Sequence, residues 1–285
     1  MNSPQHLTIG GLDLLLGGGD TLRRALALPG MAVFAATHTP AAPVHIDLDC
    51  PITLPPCRWL HRYNLADWQD AGHFGVDSEG VYYHTFGDTG ILRYDSRQPD
   101  EVRCSGIENP DILRFALWTA YCLAGLWRGA LPVHASTVVW HESAVLCLGE
   151  SGTGKSTHTD LWLKHIEDTH LLNDDSPILS VADGTVHVYG SPWSGKAPCF
   201  RQECHPVAAL LRLEQAPHNT IRRLATIQAF AALQPSCPPI LAHDERCMDR
   251  LVDFVSKVIR QTPVYLLQCR PDPEAAALSH RTIFS

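Results

Sequence analysis

Residues 143–157 have the sequence SAVLCLGESGTGKST. An apolar run at residues 144–148 leads into a glycine-rich turn, and Lys155, Ser156 and Thr157 follow that turn. The pattern is a complete Gly-x-x-x-x-Gly-Lys-[Ser/Thr] phosphate loop in the context that the motif requires, with a strand before it and a helix after it. The stretch therefore predicts that the chain binds a nucleotide through its phosphate groups.

Each residue type in this loop has a chemical purpose. Glycines allow successive backbone N–H groups to turn inward around phosphate oxygens, a geometry that a Cβ atom would obstruct. Lys155 is expected to reach the terminal phosphates, and the Ser156 hydroxyl to hold the Mg²⁺ that accompanies the nucleotide. The predicted nucleotide-binding residues are Gly149, Glu150, Ser151, Gly152, Thr153, Gly154, Lys155, Ser156 and Thr157.

The composition indicates a globular protein and narrows its partners. Of the 285 residues, 45% are hydrophobic and 18% are charged, an ordinary balance for a folded domain. A net charge of -8 without a cluster of Lys and Arg argues against nucleic-acid and membrane partners. The ten cysteines contain no C-x-x-C pair, and the N-terminus lacks the features of a signal peptide, so we expect a cytoplasmic location.

Strand and turn patterns divide the chain into two predicted domains. Residues 1–105 contain strand patterns such as Val44–Asp49, where apolar and polar residues alternate, and are predicted to form a smaller β-rich domain. The proline-containing segment 50–70 within it is predicted to be irregular. Residues 106–285 contain the phosphate loop and are predicted to form the second domain.

Two elements upstream of the loop are well marked. Asn109 is a good helix cap and Pro110 a good first helical residue, so a helix is predicted from there to about Arg128. Residues 133–140 form a predicted strand that turns back into the strand feeding the loop. This hairpin places His134 at the far end of the neighbouring strand, close to the expected position of the phosphates.

Two adjacent carboxylates follow the loop helix. A predicted helix over residues 156–167 leads to a strand at 170–173, which ends in Asp174 and Asp175. Proteins with a phosphate loop hold their metal-binding acid at the end of such a strand. Adjacent side chains on a strand face opposite ways, so both aspartates can serve one site only where the strand ends.

These pieces together resemble a known family. A His134-Ala-Ser136 strand, a hairpin, the loop Gly149–Thr157 and the run Asn173-Asp-Asp175 match the signature of the HPr kinase/phosphorylase and phosphoenolpyruvate carboxykinase superfamily, over roughly residues 133–196. The resemblance implies an α/β fold: a P-loop kinase core of the HPr kinase/PEP carboxykinase type with a mixed sheet, preceded here by the smaller β-rich domain.

The resemblance also implies roles for the site residues. Ser156 and Asp175 would ligate Mg²⁺, and Asp174 would take the proton from an acceptor hydroxyl, although the sequence leaves open an exchange of roles between the two aspartates. His134 would lie near the terminal phosphates as a hydrogen-bond donor or a second-metal ligand. Lys155 would stabilise charge on the transferring phosphoryl group.

The chain also departs from this family. It has no Gly-Arg-Asn loop of the HPr kinase/phosphorylases, which counts against phosphorolysis and against HPr as the substrate. Residues 191–196, SPWSGK, resemble instead an element of divergent HPr-kinase-like proteins found in peptide-tailoring pathways of the lasso-peptide type. Trp193, Lys196 and Arg201 are therefore candidate substrate contacts. Cys199, Cys204 and His205 are too few and too widely spaced to predict a structural zinc site.

The sequence as a whole predicts an ATP- and Mg²⁺-dependent kinase that transfers the γ-phosphoryl group to a hydroxyl, a serine of a peptide or small protein. Two alternatives remain open at this point: a kinase of a small metabolite such as free serine, and a nucleotide-dependent regulatory module that hydrolyses poorly. Because HPr kinases are hexameric, the resemblance also implies a homo-oligomer.

Overall fold

The computed structural model describes residues 3–39, 42–64, 71–195 and 197–285. Their contacts divide the chain into two compact units. The first unit comprises Met1–Arg128 and Pro239–Arg250, and the second comprises Gly129–Pro238 and Leu251–Ser285. Among the helices of the described ranges, none has an apolar stretch long enough to cross a bilayer.

The first unit is built on a sheet in which, over the described residues, eight strands lie in the order β1-β2-β3-β8-β7-β6-β5-β4. The pairs β2–β3 and β3–β8 are parallel and the others antiparallel. The strands are β1 Gln5–Ile9, β2 Leu12–Gly17, β3 Val44–Asp47, β4 Arg58–Asn64, β5 Ala71–Val76, β6 Tyr82–Phe86, β7 Gly90–Tyr94 and β8 Glu101–Ser105, and the helices are α1 Asp20–Leu26 and α2 Pro110–Arg128.

Helix α2 begins where its capping signal predicts. The Asn109 side-chain oxygen accepts hydrogen bonds from the backbone N–H groups of Asp111 at 2.8 Å and Ile112 at 3.2 Å. These two donors have no partner inside the helix, so the side chain satisfies them at the first turn. Eleven residues of the helix are buried, which explains why its sequence is apolar on most sides.

One local prediction is wrong in part. The segment 50–70 was expected to be irregular, but β4 occupies Arg58–Asn64 within it and pairs antiparallel with β5. The prolines lie before residue 57, so they do not interrupt the ladder that starts at Arg58. Residues 65–70 lie outside the described residues.

The second unit carries the phosphate loop on a mixed sheet of strands from residue 130 onward. Its main path among the described residues runs β12-β10-β11-β15-β14-β13-β9, and β17 pairs with both β15 and β16. The strands are β9 Ala130–Pro132, β10 Ala135–Trp140, β11 Ser143–Leu148, β12 Thr169–Asn173, β13 Ile178–Ala182, β14 Thr185–Tyr189, β15 Cys204–Gln215, β16 Thr220–Arg223 and β17 Val264–Cys269. The helices are α3 Lys155–His165, α4 Thr226–Leu233, α5 Glu245–Gln261, which enters this unit at Leu251, and α6 Pro273–Ile283.

Strand β11 has a central position that fixes the loop at its end. It pairs antiparallel with β10, as the predicted hairpin requires, and parallel with β15 on its other side. Its residues Ala144–Leu148 are fully buried, in keeping with their unbroken apolar sequence. The predicted α/β fold with a mixed sheet and a β-rich N-terminal region is thus confirmed.

Candidate active site

The phosphate loop joins β11 to α3 and depends on two glycines for its backbone. Gly152 has a φ of +81° and Gly154 a φ of +101°, in the left-handed region that favours glycine. A Cβ atom built on either residue would meet no atom within 4 Å. The backbone conformation therefore requires glycine, and the space beside it is open to a ligand.

The rest of the loop is held by side chains. A Cβ atom on Gly149 would clash with Thr153 Oγ1, so glycine at this position permits the close approach of the Thr153 side chain. That hydroxyl donates a 2.8 Å hydrogen bond to the carbonyl oxygen of Glu150. From outside the motif, Gln215 Nε2 donates to the Gly152 carbonyl oxygen at 3.2 Å. These hydrogen bonds therefore hold the conformation of the loop without a bound phosphate.

Lys155 lies folded into the loop. Its Nζ atom donates to the carbonyl oxygens of Gly149 at 2.9 Å and Glu150 at 3.1 Å, and it lies 2.9 Å from His134 Nε2. Burial lowers the pKa of Lys155, and the nearby Asp175 carboxylate opposes that shift. The ammonium group is thus placed where the terminal phosphates of a nucleotide would need a cation.

His134 connects Lys155 to one of the two aspartates. Its Nε2 atom faces Lys155 Nζ, and its Nδ1 atom lies 3.2 Å from Asp175 Oδ1. Since an ammonium group can only donate, Nε2 accepts from it and the imidazole proton is on Nδ1, where it donates to the carboxylate. The chain Lys155–His134–Asp175 is therefore a directed set of hydrogen bonds, and it joins the loop to the end of β12.

The other aspartate has a different set of partners. Asp174 Oδ1 accepts a 2.9 Å hydrogen bond from the Ser156 hydroxyl and another of 2.9 Å from Ser136. Ser136 is fully buried in β10 and also contacts Thr159 Oγ1 at 3.0 Å. Ser156, which the sequence paired with Asp175, therefore lies against Asp174. The family resemblance included Ser136 but gave it no role, and here it positions this carboxylate.

The electrostatic surroundings keep Asp175 ionised. Burial alone would raise the pKa of this carboxyl group. Hydrogen bonds from His134 and from the Ser176 hydroxyl, together with the positive charge of Lys155, outweigh that penalty and hold the pKa of Asp175 below its ordinary value. Asp175 is thus a carboxylate, able to accept a proton, across the physiological pH range.

Asn173 fixes the turn that carries both aspartates. Its side-chain oxygen accepts from the backbone N–H groups of Asp175 at 2.9 Å and Ser176 at 2.8 Å. Its amide nitrogen donates to the carbonyl oxygens of Ser191 at 3.3 Å and Trp193 at 3.4 Å. Because Asn173 is fully buried, these bonds hold the segment after β14 against the end of β12. No motif around Asn173 in the sequence indicates this role.

Replacing Asn173 with Ala is expected to lower the free energy of unfolding by about 2–4 kcal/mol, because several buried backbone groups lose their partners. The change corresponds to a fall in Tm of roughly 4–10 °C, measurable by thermal denaturation followed by circular dichroism. The matched control is Gln228→Ala, which removes an exposed side-chain amide whose oxygen accepts from Arg222 at 3.1 Å. Equal Tm values for the two variants would contradict the role of Asn173.

The candidate substrate residues have separate positions. Trp193 is only 4% exposed, so its side chain packs inside the unit. Arg201 Nη1 donates to Glu203 Oε1 at 3.1 Å. Lys196 lies outside the described residues. The predicted residues that lie together in the structure are His134, Lys155, Ser156, Asp174 and Asp175. Trp193 is linked to the aspartate turn by the hydrogen bond from Asn173 to its carbonyl oxygen. Arg201 pairs with Glu203 instead.

A cavity of about 650 Å³ opens beside the phosphate loop. Its walls combine apolar side chains with a few polar groups, as small-molecule sites do. A phosphate chain bound by the loop would leave the rest of a nucleotide next to this space. The lining residues outside the loop motif come from three separate segments, so no sequence motif indicates them; they include Leu161, Leu213, Gln215, Pro217, Cys269 and Arg270.

The strand, the glycine-rich loop, the helix and the adjoining Ser–Asp pair have the arrangement of a P-loop unit. No protein-family model matches the sequence, and no curated protein matches it. Among solved structures, part of the chain is similar to the HPr(Ser) kinase/phosphatase from Coxiella burnetii, with 14% identity and a TM-score of 0.31. The match covers 53% of this chain and 96% of that chain. The likeness concerns the fold alone.

Proposed function

We propose that this chain is an ATP- and Mg²⁺-dependent kinase that transfers the γ-phosphoryl group to a hydroxyl. The proposal rests on one observation: the two adjacent carboxylates at the end of β12 have different hydrogen-bond partners. Asp174 contacts the loop serine, Ser156, whereas Asp175 contacts His134. A kinase needs one carboxylate for its metal ion and another for the proton of the acceptor.

The residues present suit magnesium. The Ser156 hydroxyl and Asp174 Oδ1 are hard oxygen donors that already lie 2.9 Å apart beside the open loop. We assign the metal ion to this pair, which exchanges the two aspartate roles relative to the family-based expectation. When bound, Mg²⁺ neutralises charge on the phosphate oxygens.

In the proposed step, the oxygen of the acceptor hydroxyl forms a bond to the γ-phosphorus, and the bond to the oxygen that bridges the β- and γ-phosphates breaks. The acceptor proton passes to the Asp175 carboxylate, which is ionised and held in place by His134. Lys155 and the loop amides stabilise the charge that develops on the phosphoryl oxygens. Most of the rate enhancement then comes from positioning and charge stabilisation.

We further propose that the acceptor is a serine of a peptide or small protein. The segment that resembles the peptide-tailoring branch, Ser191–Gly195, borders the aspartate turn. A Cβ atom built on Gly195 would lie 3.1 Å from the Asp174 carbonyl oxygen and 3.2 Å from Asp175 Cβ. This contact supports a role for the segment beside the acceptor group, because it adjoins the carboxylate that would receive the proton.

The test is transfer of label from γ-labelled ATP in the presence of Mg²⁺. A positional library of synthetic peptides with one serine each serves as the peptide probe, and free serine serves as the metabolite probe. We expect label in peptides and at their serine. Label in free serine alone would overturn the peptide acceptor but keep the kinase. Tight ATP binding with no transfer to either probe would overturn the kinase in favour of a regulatory module.

The pH dependence of this activity follows from Lys155. Transfer requires the charged form of Lys155. In the protein without nucleotide, burial lowers the pKa of this side chain from the ordinary lysine value of 10.5. Activity should therefore fall as the pH rises through that lowered value. The measurement is kcat/KM for ATP from about pH 7 to about pH 11, because kcat/KM reports the free enzyme. Its decline should begin at a pH below the ordinary lysine pKa range.

The parallel profile of kcat provides the control for this prediction. Bound triphosphate places negative charge next to the ammonium group and favours its protonated form. The alkaline decline of kcat is therefore expected at a higher pH than that of kcat/KM. A kcat/KM that stays level through the ordinary lysine range would show that the decisive cation is not Lys155.

A further inference from the structure

Outside the candidate active site, three side chains of the second unit converge on one point. Glu203 Oε2 lies 2.9 Å from His170 Nε2 and 3.2 Å from His205 Nε2. One potential ligand atom of each residue lies within 4.8 Å of the others. His170 is in β12, His205 is in β15, and Glu203 immediately precedes β15. We propose that His170, Glu203 and His205 form a binding site for a divalent transition-metal ion, zinc in the first place.

The two contacts of Glu203 Oε2 have a spacing close to that of metal ligands. Metal–nitrogen and metal–oxygen bonds of about 2.0–2.1 Å in a tetrahedral site place neighbouring ligand atoms about 3.3–3.4 Å apart. The two nitrogen–oxygen distances, 2.9 Å and 3.2 Å, need only a small expansion to reach that spacing. Without metal, two imidazole N–H groups must both donate to the same carboxylate oxygen. A metal ion would replace these two protons at the point where they meet.

The ligand chemistry selects the class of metal. Two imidazoles and one carboxylate are the donors of three-ligand zinc sites, whereas Mg²⁺ and Ca²⁺ prefer oxygen ligands. The side chains of His170 and Glu203 are 35% and 34% exposed and that of His205 is 13% exposed, so an ion can enter from solvent. The fourth position would face that solvent and take a water molecule.

A neighbouring side chain already orients the carboxylate. Arg201 Nη1 donates to Glu203 Oε1 at 3.1 Å, which leaves Oε2 directed at the two histidines. An outer partner of this kind is a regular part of metal sites and favours binding through a single oxygen. Arg201, predicted from the sequence as a substrate contact, thus has a positioning role in this site.

A metal ion in this site would link the connection between β14 and β15 to strand β12, which lies at the edge of the sheet path. His170 lies near the start of β12, which ends at the aspartate turn. Glu203 is the last residue of the connection from β14 to β15, and His205 is the second residue of β15. The same connection contacts β12 further along, where Cys199 Sγ lies 3.4 Å from the carbonyl oxygens of Leu171 and Leu172. Bound metal would therefore join two segments that are 33 residues apart in sequence. The inference does not depend on kinase activity.

The experiment uses the full chain without an affinity tag, stripped by a chelator and then titrated with Zn²⁺. We expect one strongly bound zinc per chain and a rise in Tm of roughly 5–7 °C at a hundredfold excess over Kd. The variants Glu203→Gln and His205→Gln should weaken binding by more than about 100-fold, because even outer partners of a ligand cost about 10–100-fold. The matched control His187→Gln alters a half-buried histidine of β14 outside the cluster and should bind like the wild type.

Cobalt distinguishes this site from binding by cysteines. Co²⁺ bound by histidine and carboxylate should give visible absorption bands without the near-ultraviolet charge-transfer band of a cobalt–thiolate bond. These bands should disappear in Glu203→Gln and His205→Gln and persist in His187→Gln. A thiolate band that survives in the cluster variants would place the metal on cysteines and overturn the proposal. Equal zinc affinity in all four proteins, or no binding, would show that the cluster is only a hydrogen-bonded network.

Discussion

The Lys155→Ala variant is expected to lose phosphoryl transfer almost completely, with kcat/KM for ATP lowered by about 10³-fold. The ammonium group is held by two loop carbonyl oxygens and by His134, so its charge lies within the glycine-rich loop. Removing a single preorganised electrostatic group from such a site costs about 10²–10³-fold in rate, and loss of ground-state binding adds to this. The measurement is the initial rate of transfer from γ-labelled ATP.

Lys164→Ala provides the matched control, since it removes an exposed lysine from the last turn of the same helix. Its kcat/KM should stay within a factor of two of the wild-type value. Far-ultraviolet circular dichroism must show that both variants are folded. If Lys155→Ala, folded and soluble, retained more than a tenth of the activity, the loop would not be the site of transfer.

The sequence was sufficient to predict the phosphate loop and the β10–β11 hairpin that precedes it. Gly152 and Gly154 mark a backbone that other residues adopt only with strain, and such positions are visible in sequence. The hairpin before the loop was predictable too, because β10 and β11 pair through the short turn that joins them. Local signals of this kind specify an element without reference to distant residues.

The different partners of the two aspartates could not be predicted in the same way. Asp174 and Asp175 are adjacent, and their contacts depend on which side of the strand end each one faces. That choice is made by Asn173, whose amide group joins the turn to residues 191–193. The partners of such a buried side chain are far apart in sequence, and the residue type alone does not reveal them.

The cluster of His170, Glu203 and His205 shows the same limit. The sequence drew attention to Cys199, Cys204 and His205, because they are neighbours along the chain. Yet successive residues of a strand face opposite sides, so Cys204 and His205 do not share a face. The partner that completes the cluster comes from β12, brought close by the connection that precedes β15.

The roles proposed for the two aspartates predict that their asparagine variants fail in different ways. Asp175→Asn should lower kcat by about 10²–10⁴-fold, the usual contribution of a general base, with little change in the Mg²⁺ concentration needed for half-maximal activity. Asp174→Asn should raise that Mg²⁺ requirement by at least about tenfold, because it removes the negative charge beside the Ser156 hydroxyl, the other proposed metal ligand. The measurement is the rate of transfer across a Mg²⁺ titration at saturating ATP.

Asp160→Asn, an exposed aspartate of α3, is the control for loss of a negative charge near the loop and should match the wild type in both quantities. The reverse pattern, with the Mg²⁺ requirement changed by Asp175→Asn, would restore the roles implied by the family resemblance. If instead both variants kept full function while Lys155→Ala abolished it, the carboxylates would have no part in chemistry. The loop would then serve a nucleotide-dependent regulatory module, because phosphate binding needs Lys155 but a proton-accepting carboxylate is needed only for transfer.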